Sequence, residues 1–223
     1  PSSDYIYSEP YGKVLIISPW NYPFQLALSP VIAAFAAGNQ VTLKPSELTP
    51  NTSSLLSKII RETFDVKEVV AVLGDAELAK NLLTKKWDYI FFTGSVGVGK
   101  KVYEAAAQHL TPVTLELGGK NPCIVDDTGS MALKAKRIVW GKFINAGQTC
   151  IAPDFILVKS NVKEEFIKHL ITEIKKAYTE NPHLSPDYCR IINKKNWLRL
   201  TSLLEDQNLI YGGDKDEDDC YLA

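Results

Sequence analysis

The first half of the sequence alternates between short apolar runs and longer segments of helical length. Uninterrupted apolar runs are typical of strands buried on both faces, and helical connections make successive strands parallel. This alternation predicts an α/β fold, with a parallel sheet covered by helices on both faces. The expected strands are Val14–Ser18, Val41–Lys44, Val69–Leu73, Tyr89–Phe92 and Val113–Leu117. The expected helices are Pro23–Ala37, Thr49–Phe64, Ala76–Thr84 and Val96–His109.

The pattern changes after Leu117, where two glycines interrupt the chain, and we place a domain boundary there. Later segments predict a second α/β unit. Its expected strands are Cys123–Val125 and Phe155–Val158, and its expected helices are Ala132–Asn145, Val162–Tyr178 and Lys194–Asp206. Leu209–Tyr211 reads as the start of another strand and Tyr221–Ala223 as the opening of a further one. A domain rarely ends in mid-pattern, so we expect the chain to be a piece of a longer protein.

Charge and cysteine content exclude several classes of protein. The 223 residues carry a formal net charge of -1, which gives no electrostatic reason to expect nucleic-acid or anionic-membrane partners. No apolar run is long enough for a membrane span. The four cysteines form no C-x-x-C pair, which argues against a metal site and favours a reduced, cytoplasmic protein.

A glycine-rich turn links an expected strand to the following helix at Phe91–Lys101 (FFTGSVGVGKK). Such a turn directs backbone N–H groups at an anion, so a phosphate or pyrophosphate is the natural ligand. A P-loop nearly fits, but Lys101 occupies the place of the magnesium-binding hydroxyl. The dinucleotide fingerprint also fails, because Val102 replaces its third glycine. The turn alone therefore also fits a purely structural role.

Four more motifs accompany this turn. They are Ser18–Pro23 (SPWNYP), Leu43–Glu47 (LKPSE), Leu115–Lys120 (LELGGK) and Gly147–Cys150 (GQTC). In this order and separation, the five motifs resemble the aldehyde dehydrogenase superfamily along the whole chain. The stretches Glu104–Pro122 and Phe143–Pro153 most resemble its class 3 branch.

The resemblance implies three catalytic residues. Cys150 is the expected nucleophile, because a thiolate can form the tetrahedral adduct from which a hydride leaves. The side-chain amide of Asn21 and the backbone N–H of Cys150 would stabilise the resulting oxyanion. Glu116 would act as the general base that hydrolyses the thioester.

The resemblance also implies a cofactor site for NAD, with NADP as an accepted alternative. Glu47 favours NAD, because a carboxylate accepts hydrogen bonds from ribose hydroxyls and repels a 2′-phosphate. The expected cofactor-binding residues are Trp20, Lys44, Glu47, Gly94, Ser95, Val98, Leu117 and Gly118. Residues 1–117 would form an NAD(P)-binding, Rossmann-like domain, and residues 118–223 the first part of an incomplete catalytic domain.

Other interpretations remain open at this point. Within the superfamily, a semialdehyde or CoA-acylating dehydrogenase is an alternative, although Glu116 favours the hydrolytic branch. Outside it, a P-loop phosphate-transfer enzyme and a non-catalytic binding protein are alternatives. We expect an aldehyde substrate, of medium-chain aliphatic or aromatic type, and a homodimer for the intact protein. We also expect this chain alone to bind cofactor with little or no turnover.

Overall fold

A computed structural model describes residues 2–205 and 207–223. The chain divides into two compact units, residues 1–118 and residues 119–223. In the described ranges, no helix combines the length and the apolar character needed to cross a membrane.

The first unit alternates strands and helices without interruption. Its strands are β1 (Lys13–Ile17), β2 (Gln40–Lys44), β3 (Val69–Ala71), β4 (Tyr89–Gly94) and β5 (Val113–Leu117). Its helices are α1 (Gln25–Ala36), α2 (Pro50–Thr63), α3 (Ala76–Leu83) and α4 (Val96–Ala107). The five strands form one parallel sheet in the order β3-β2-β1-β4-β5, which confirms the predicted α/β class.

The central strand β1 contributes to two hydrophobic cores, one on each face of the sheet. Val14 and Ile16 pack with residues of α1 and α2, whereas Leu15 and Ile17 pack with residues of α4. Successive side chains of a strand point to opposite faces, so a continuous apolar run can serve both cores. The predicted placement of helices on both faces is therefore confirmed.

The first helix ends where the sequence predicts its C-cap. Gly38 adopts a positive φ of 87°, and the N–H of Asn39 donates to the carbonyl of Ala34 over 3.1 Å. This is the arrangement of a Schellman cap, in which a left-handed residue turns the chain away from the helix. The Asn39 side chain also accepts from the N–H of Gly12 over 3.0 Å, which ties the helix end to the start of β1.

The second unit is built on a smaller parallel pair, β6 (Asn121–Val125) and β7 (Pro153–Val158). Its helices are α5 (Met131–Phe143), α6 (Lys163–Tyr178) and α7 (Lys194–Ser202). A short antiparallel hairpin of β8 (Lys215–Asp216) and β9 (Tyr221–Leu222) comes after α7. A core of Val125, Met131, Ala135 and Phe166 joins β6, α5 and α6.

Two predicted elements of this unit differ from the structure. The last long helix ends at Ser202, and Asp206, its predicted end, lies outside the described residues. Leu209–Tyr211 do not form a strand; they line an apolar cavity of about 380 Å³ beside α6. A strand requires a hydrogen-bonding neighbour, and this segment pairs with none in the described chain. The strand predicted to open at Tyr221 is present as β9.

Candidate functional site

Most of the expected site residues of the first unit lie at one edge of its sheet. The carboxyl ends of adjacent parallel strands point the same way, and the strand order reverses between β1 and β4. Ligands of open α/β sheets bind beyond the carboxyl ends of strands at such a reversal. The residues at or just beyond these ends are Trp20 and Asn21 after β1, Lys44 and Glu47 at β2, Gly94 and Ser95 at β4, and Glu116, Leu117 and Gly118 at β5.

Lys44 and Glu47 form an ion pair at the end of β2. The lysine side chain is only 4% exposed, whereas the glutamate side chain is 41% exposed. The loop between them is fixed by Ser53, whose hydroxyl donates to the carbonyl of Ser46 over 2.7 Å. The pair therefore presents a carboxylate outwards, held by a buried cation.

The glycine-rich turn forms the junction between β4 and α4. Ser95 caps the helix, with its Oγ accepting from the N–H of Val98 over 3.4 Å. A side chain at Gly97 would meet nothing within 4 Å, so the first turn of the helix is open above this position. At Gly99, by contrast, a Cβ would lie 2.7 Å from Leu117, which shows that α4 packs tightly on β5. An open helix N-terminus of this kind suits a phosphate group.

Asn21 lies in the loop that follows β1. Its Oδ1 accepts from the N–H of Tyr22 over 3.1 Å, and the side chain is half-buried. The amide oxygen is thus oriented by the backbone, and the NH₂ end is the part of the amide able to donate to a substrate oxyanion.

Ser18, at the end of β1, is a residue whose role the sequence did not indicate. It is 5% exposed, and its hydroxyl has no hydrogen-bond partner among the described residues. An unsatisfied buried hydroxyl costs about 1–3 kcal/mol. Such a group at the centre of the carboxyl edge fits a site that a polar ligand completes. Together with the Lys44 pair and the open helix N-terminus, it makes this edge compatible with a dinucleotide.

Glu116 is exposed near the end of β5 and pairs in register with Thr93. The next residue, Leu117, pairs with Gly94 of the glycine-rich turn. Glu116 therefore lies beside the last residue before the glycine-rich turn, on the strand next to it. At Gly118 an added Cβ would again meet nothing within 4 Å, so the chain beyond Glu116 is open.

In the second unit, Cys150 is an exposed thiol in a tight turn. The turn is closed by the N–H of Ala152, which donates to the carbonyl of Thr149 over 3.2 Å. The side chain of Asn121 donates to the carbonyl of Cys150 over 2.7 Å and to that of Ala152 over 3.1 Å. A Cβ at Gly119 would lie 3.0 Å from the Cys150 carbonyl oxygen, so only glycine fits there without displacement.

The residues that precede this turn adopt an unusual backbone. Asn145, Ala146 and Gly147 have positive φ values of 53°, 52° and 73°. Left-handed conformations cost roughly 1–2 kcal/mol for a residue with a Cβ, with asparagine more tolerant than alanine. This strained left-handed turn leads directly into Gln148, two residues before Cys150, and strain of this kind is often found at functional sites.

The Gln148 side chain connects the turn to a distant segment. Its Nε2 donates to the carbonyls of Asn145 and Arg190, each over 3.0 Å, and its Oε1 accepts from the N–H of Ile192 over 2.9 Å. Asn121 and Gln148 were not recognised as functional from the sequence, because their partners lie 29 and 42 residues away.

The segment that receives Gln148 is itself well anchored. Arg190 Nε donates to Asp219 over 2.6 Å, which lowers the pKa of that carboxyl, and His183 is a second hydrogen-bond partner. Tyr188 packs nearby against aromatic rings and donates to the carbonyl of Leu222 over 3.0 Å. Its burial raises the pKa of Tyr188 to about 12.

Comparison with known proteins identifies relatives along the whole chain. Residues 2–222 match the model of the aldehyde dehydrogenase family. The 4,4'-diaponeurosporen-aldehyde dehydrogenase of Staphylococcus aureus is 50% identical, with 100% of this chain and 49% of that protein covered. Aldehyde dehydrogenase family 3 member A2 of Pongo abelii is 48% identical, with 98% of this chain and 45% of that protein covered. The chain thus spans about half the length of these relatives, and the predicted class 3 resemblance is confirmed.

Solved structures agree with this comparison. A substrate-bound state of Staphylococcus aureus AldH matches with a TM-score of 0.91 and 50% identity, over 96% of this chain and 47% of that one. A Mycobacterium tuberculosis aldehyde dehydrogenase complexed with NAD⁺ matches with a TM-score of 0.86 and 29% identity, over 96% and 46% of the two chains. The phosphate-transfer alternative suggested by the glycine-rich turn finds no support here.

Proposed function

The chain belongs to the aldehyde dehydrogenase family, and we propose that it supplies the cofactor-binding edge and the nucleophile for NAD-dependent oxidation of an aldehyde to a carboxylic acid. One observation carries this proposal. Asn21, Glu116 and the residues of three expected cofactor motifs all lie at the carboxyl edge of one parallel sheet, at the point where the strand order reverses. In this view, residues 1–117 form the NAD(P)-binding domain and residues 118–223 the first part of the catalytic domain.

The contacts of the first unit support specific cofactor roles. Glu47, held by buried Lys44, would accept hydrogen bonds from the adenosine ribose hydroxyls, and this favours NAD over NADP. The turn at Gly94 and Ser95 and the N-terminus of α4 would bind the pyrophosphate through backbone N–H groups. Val98, which is 48% exposed, would lie against the adenine. When bound, NAD accepts the hydride that the substrate releases.

Trp20, Leu117 and Gly118 complete the proposed cofactor set. Trp20 is half-buried in the loop after β1, and Leu117 packs against Gly99 of α4. Gly118 leaves open space where a side chain would otherwise project. An open glycine beside a packed leucine leaves room for a flat nicotinamide ring.

The first chemical step would take place at Cys150. Its thiolate attacks the carbonyl carbon of the aldehyde, the carbonyl π bond breaks, and a thiohemiacetal oxyanion forms. Donors already in position for that oxygen typically accelerate such steps about 10²- to 10³-fold each. The Asn21 amide and the backbone N–H of Cys150 are the proposed donors.

The second step would resolve the acyl group. Once the oxyanion has expelled a hydride, which bound NAD would take up, a thioester would remain on Cys150. Glu116 then accepts a proton from water, whose oxygen attacks the thioester carbon, and the Cys150 thiolate departs. The balance is one aldehyde, one NAD⁺ and one water consumed, with one carboxylate, one NADH and two protons formed.

The resemblance to class 3 aldehyde dehydrogenases also supports proposals about the substrate and the oligomeric state. We infer medium-chain aliphatic or aromatic aldehydes as the substrate class and a homodimer for the intact protein. NADP remains an alternative cofactor, because members of the class 3 branch that the chain resembles can accept NADP despite such a glutamate.

An NADH absorbance assay tests this function. The protein at its full natural length is mixed with NAD and a panel of aldehydes, and the formation of NADH is followed. Cys150→Ala should abolish the signal, whereas Cys189→Ala, which removes another exposed thiol, should retain it. Equal activity in the Cys150→Ala variant would refute the proposed nucleophile.

A further inference from the structure

The backbone around Cys150 is held from two sides by side-chain amides. On one side, Asn121 donates to the carbonyls of Cys150 and Ala152 over 2.7 and 3.1 Å. On the other, Gln148 makes three hydrogen bonds to Asn145 and to the segment 190–192. Five bonds thus fix a stretch of eight residues, 145–152, that contains no strand and no α-helix.

Two of the three hydrogen bonds of Gln148 resemble those between neighbouring strands of a sheet. Its amide donates to the carbonyl of Arg190 and accepts from the N–H of Ile192, so it pairs with both residues at once. Its further bond to the carbonyl of Asn145 closes the left-handed turn onto itself. Because a backbone with positive φ at Ala146 is unfavourable by itself, the turn needs external bonds of this kind to persist.

The segment 190–192 is a firm support. The N–H of Ile191 donates to the carbonyl of Cys220 over 3.0 Å, and Arg190 is bonded to Asp219 over 2.6 Å. The indole of Trp197 then donates to the carbonyl of Tyr221 over 2.6 Å, which anchors the same hairpin to α7. A displacement of Gln148 would therefore have to break its two bonds to this anchored segment, to Arg190 and to Ile192.

From this geometry we infer that Gln148 and Asn121 are positioning residues for the nucleophile: they hold the strained turn so that the Cys150 thiol has one orientation. This inference rests on the proposed role of Cys150. Each amide acts through the backbone that carries the thiol, since its hydrogen bonds are to backbone groups. Misplacement of a reacting group by about 1 Å can reduce a rate about 100-fold, so small backbone shifts are enough to matter.

The test uses near-isosteric variants of the protein at its full natural length. Gln148→Glu and Asn121→Asp keep the shape of each side chain but replace its donors by a carboxylate facing carbonyl oxygens. Gln207→Glu is the matched control, since its amide is exposed and donates to the nearby carbonyl of Glu205 over a long 3.4 Å. The readouts are kcat and KM for aldehyde and for NAD, melting temperature, and hydrogen exchange of the segment 145–152.

We expect both variants to lose at least tenfold in kcat, with the KM for NAD changed less than twofold. Amide exchange in 145–152 should accelerate at least tenfold, while exchange in α5 and α6 stays as in the parent protein. The double variant should be little worse than the poorer single variant, because the two amides hold one segment. Gln207→Glu should match the parent in every readout.

Three results for the Gln148 and Asn121 variants would overturn the inference. These are a kcat within twofold of the parent, an amide exchange rate in 145–152 equal to that of the parent, or exchange that accelerates equally throughout residues 119–223. The last would show a general structural role. If the parent itself oxidises no aldehyde, the proposed function fails, and the exchange data alone decide whether the two amides hold this segment.

Discussion

Lys44 and Glu47 form an ion pair in which the cation is buried and the carboxylate reaches solvent. The Lys44 side chain is held inside the protein, because it is only 4% exposed and the loop that follows it is fixed by the hydrogen bond to Ser46. The carboxylate is therefore the group that a ribose would meet. This geometry makes cofactor preference a property of one residue that can be changed.

Glu47→Gln should raise the ratio of kcat/KM for NADP to that for NAD by about fivefold to tenfold. The change removes a negative charge that repels a 2′-phosphate, and about 1 kcal/mol of such repulsion corresponds to roughly fivefold in affinity. Glu77→Gln is the matched control, since Glu77 also pairs with a lysine three residues away, but both side chains of that pair are exposed. An unchanged ratio in Glu47→Gln would remove this residue from the proposed ribose contact.

Gly119→Ala should damage the nucleophile turn. Its Cβ would lie 2.9 Å from Asn121 Oδ1 and 3.0 Å from the carbonyl oxygen of Cys150, so the turn must shift. We expect a loss of at least tenfold in kcat and a destabilisation of about 1–3 kcal/mol.

The control for that variant is Gly141→Ala in α5. There a Cβ would make an ordinary contact with Pro153 at 3.7 Å. Alanine in a helix is also more stable than glycine by about 0.5–1 kcal/mol. Activity should stay at the parental value, with a slightly higher melting temperature. Steady-state rates and thermal unfolding of both variants decide the comparison; full activity in Gly119→Ala would contradict the close approach.

Alkaline pH should destabilise the second unit through Tyr188. Burial raises the pKa of Tyr188 to about 12 from its ordinary value of 10.0. Since the neutral phenol is favoured in the folded state, this stabilisation is complete below pH 10 and is lost as pH rises to about 12. The loss should be on the order of 2 kcal/mol.

Unfolding free energies measured between pH 8 and pH 12 test this expectation. Tyr188→Phe should flatten the decline above pH 10 and lower stability at neutral pH, because the hydrogen bond to Leu222 is gone. Tyr103→Phe, at a side chain that is 60% exposed, should leave the profile unchanged. A decline of the same steepness in Tyr188→Phe would assign it to another group.

Much of the fold follows from local signals in the sequence. Apolar runs marked all five strands of the first unit, and Gly38 with Asn39 marked the end of α1. These features depend on residues adjacent in sequence. The failure at Leu209–Tyr211 has the opposite cause, because a strand exists only where another strand pairs with it.

The nucleophile region shows the same division. Cys150 was expected from the motif around it, and the structure finds it exposed. The left-handed turn before it could not be predicted, because Ala146 gives no local signal for a positive φ. Nor could the roles of Asn121 and Gln148, whose hydrogen bonds join parts of the chain far apart in sequence.

In the proposed reaction, Cys150 carries the acyl group and Glu116 activates the water that hydrolyses it. The most direct measurement is mass spectrometry of peptides from the Glu116→Gln variant at full natural length, acid-quenched after mixing with aldehyde and NAD. Glu104→Gln, an exposed glutamate on α4, serves as the control. We expect one burst equivalent of NADH and an acyl mass on the Cys150 peptide in Glu116→Gln, with steady turnover in the control. An acyl group on another cysteine, or steady turnover by Glu116→Gln with no adduct, would contradict it.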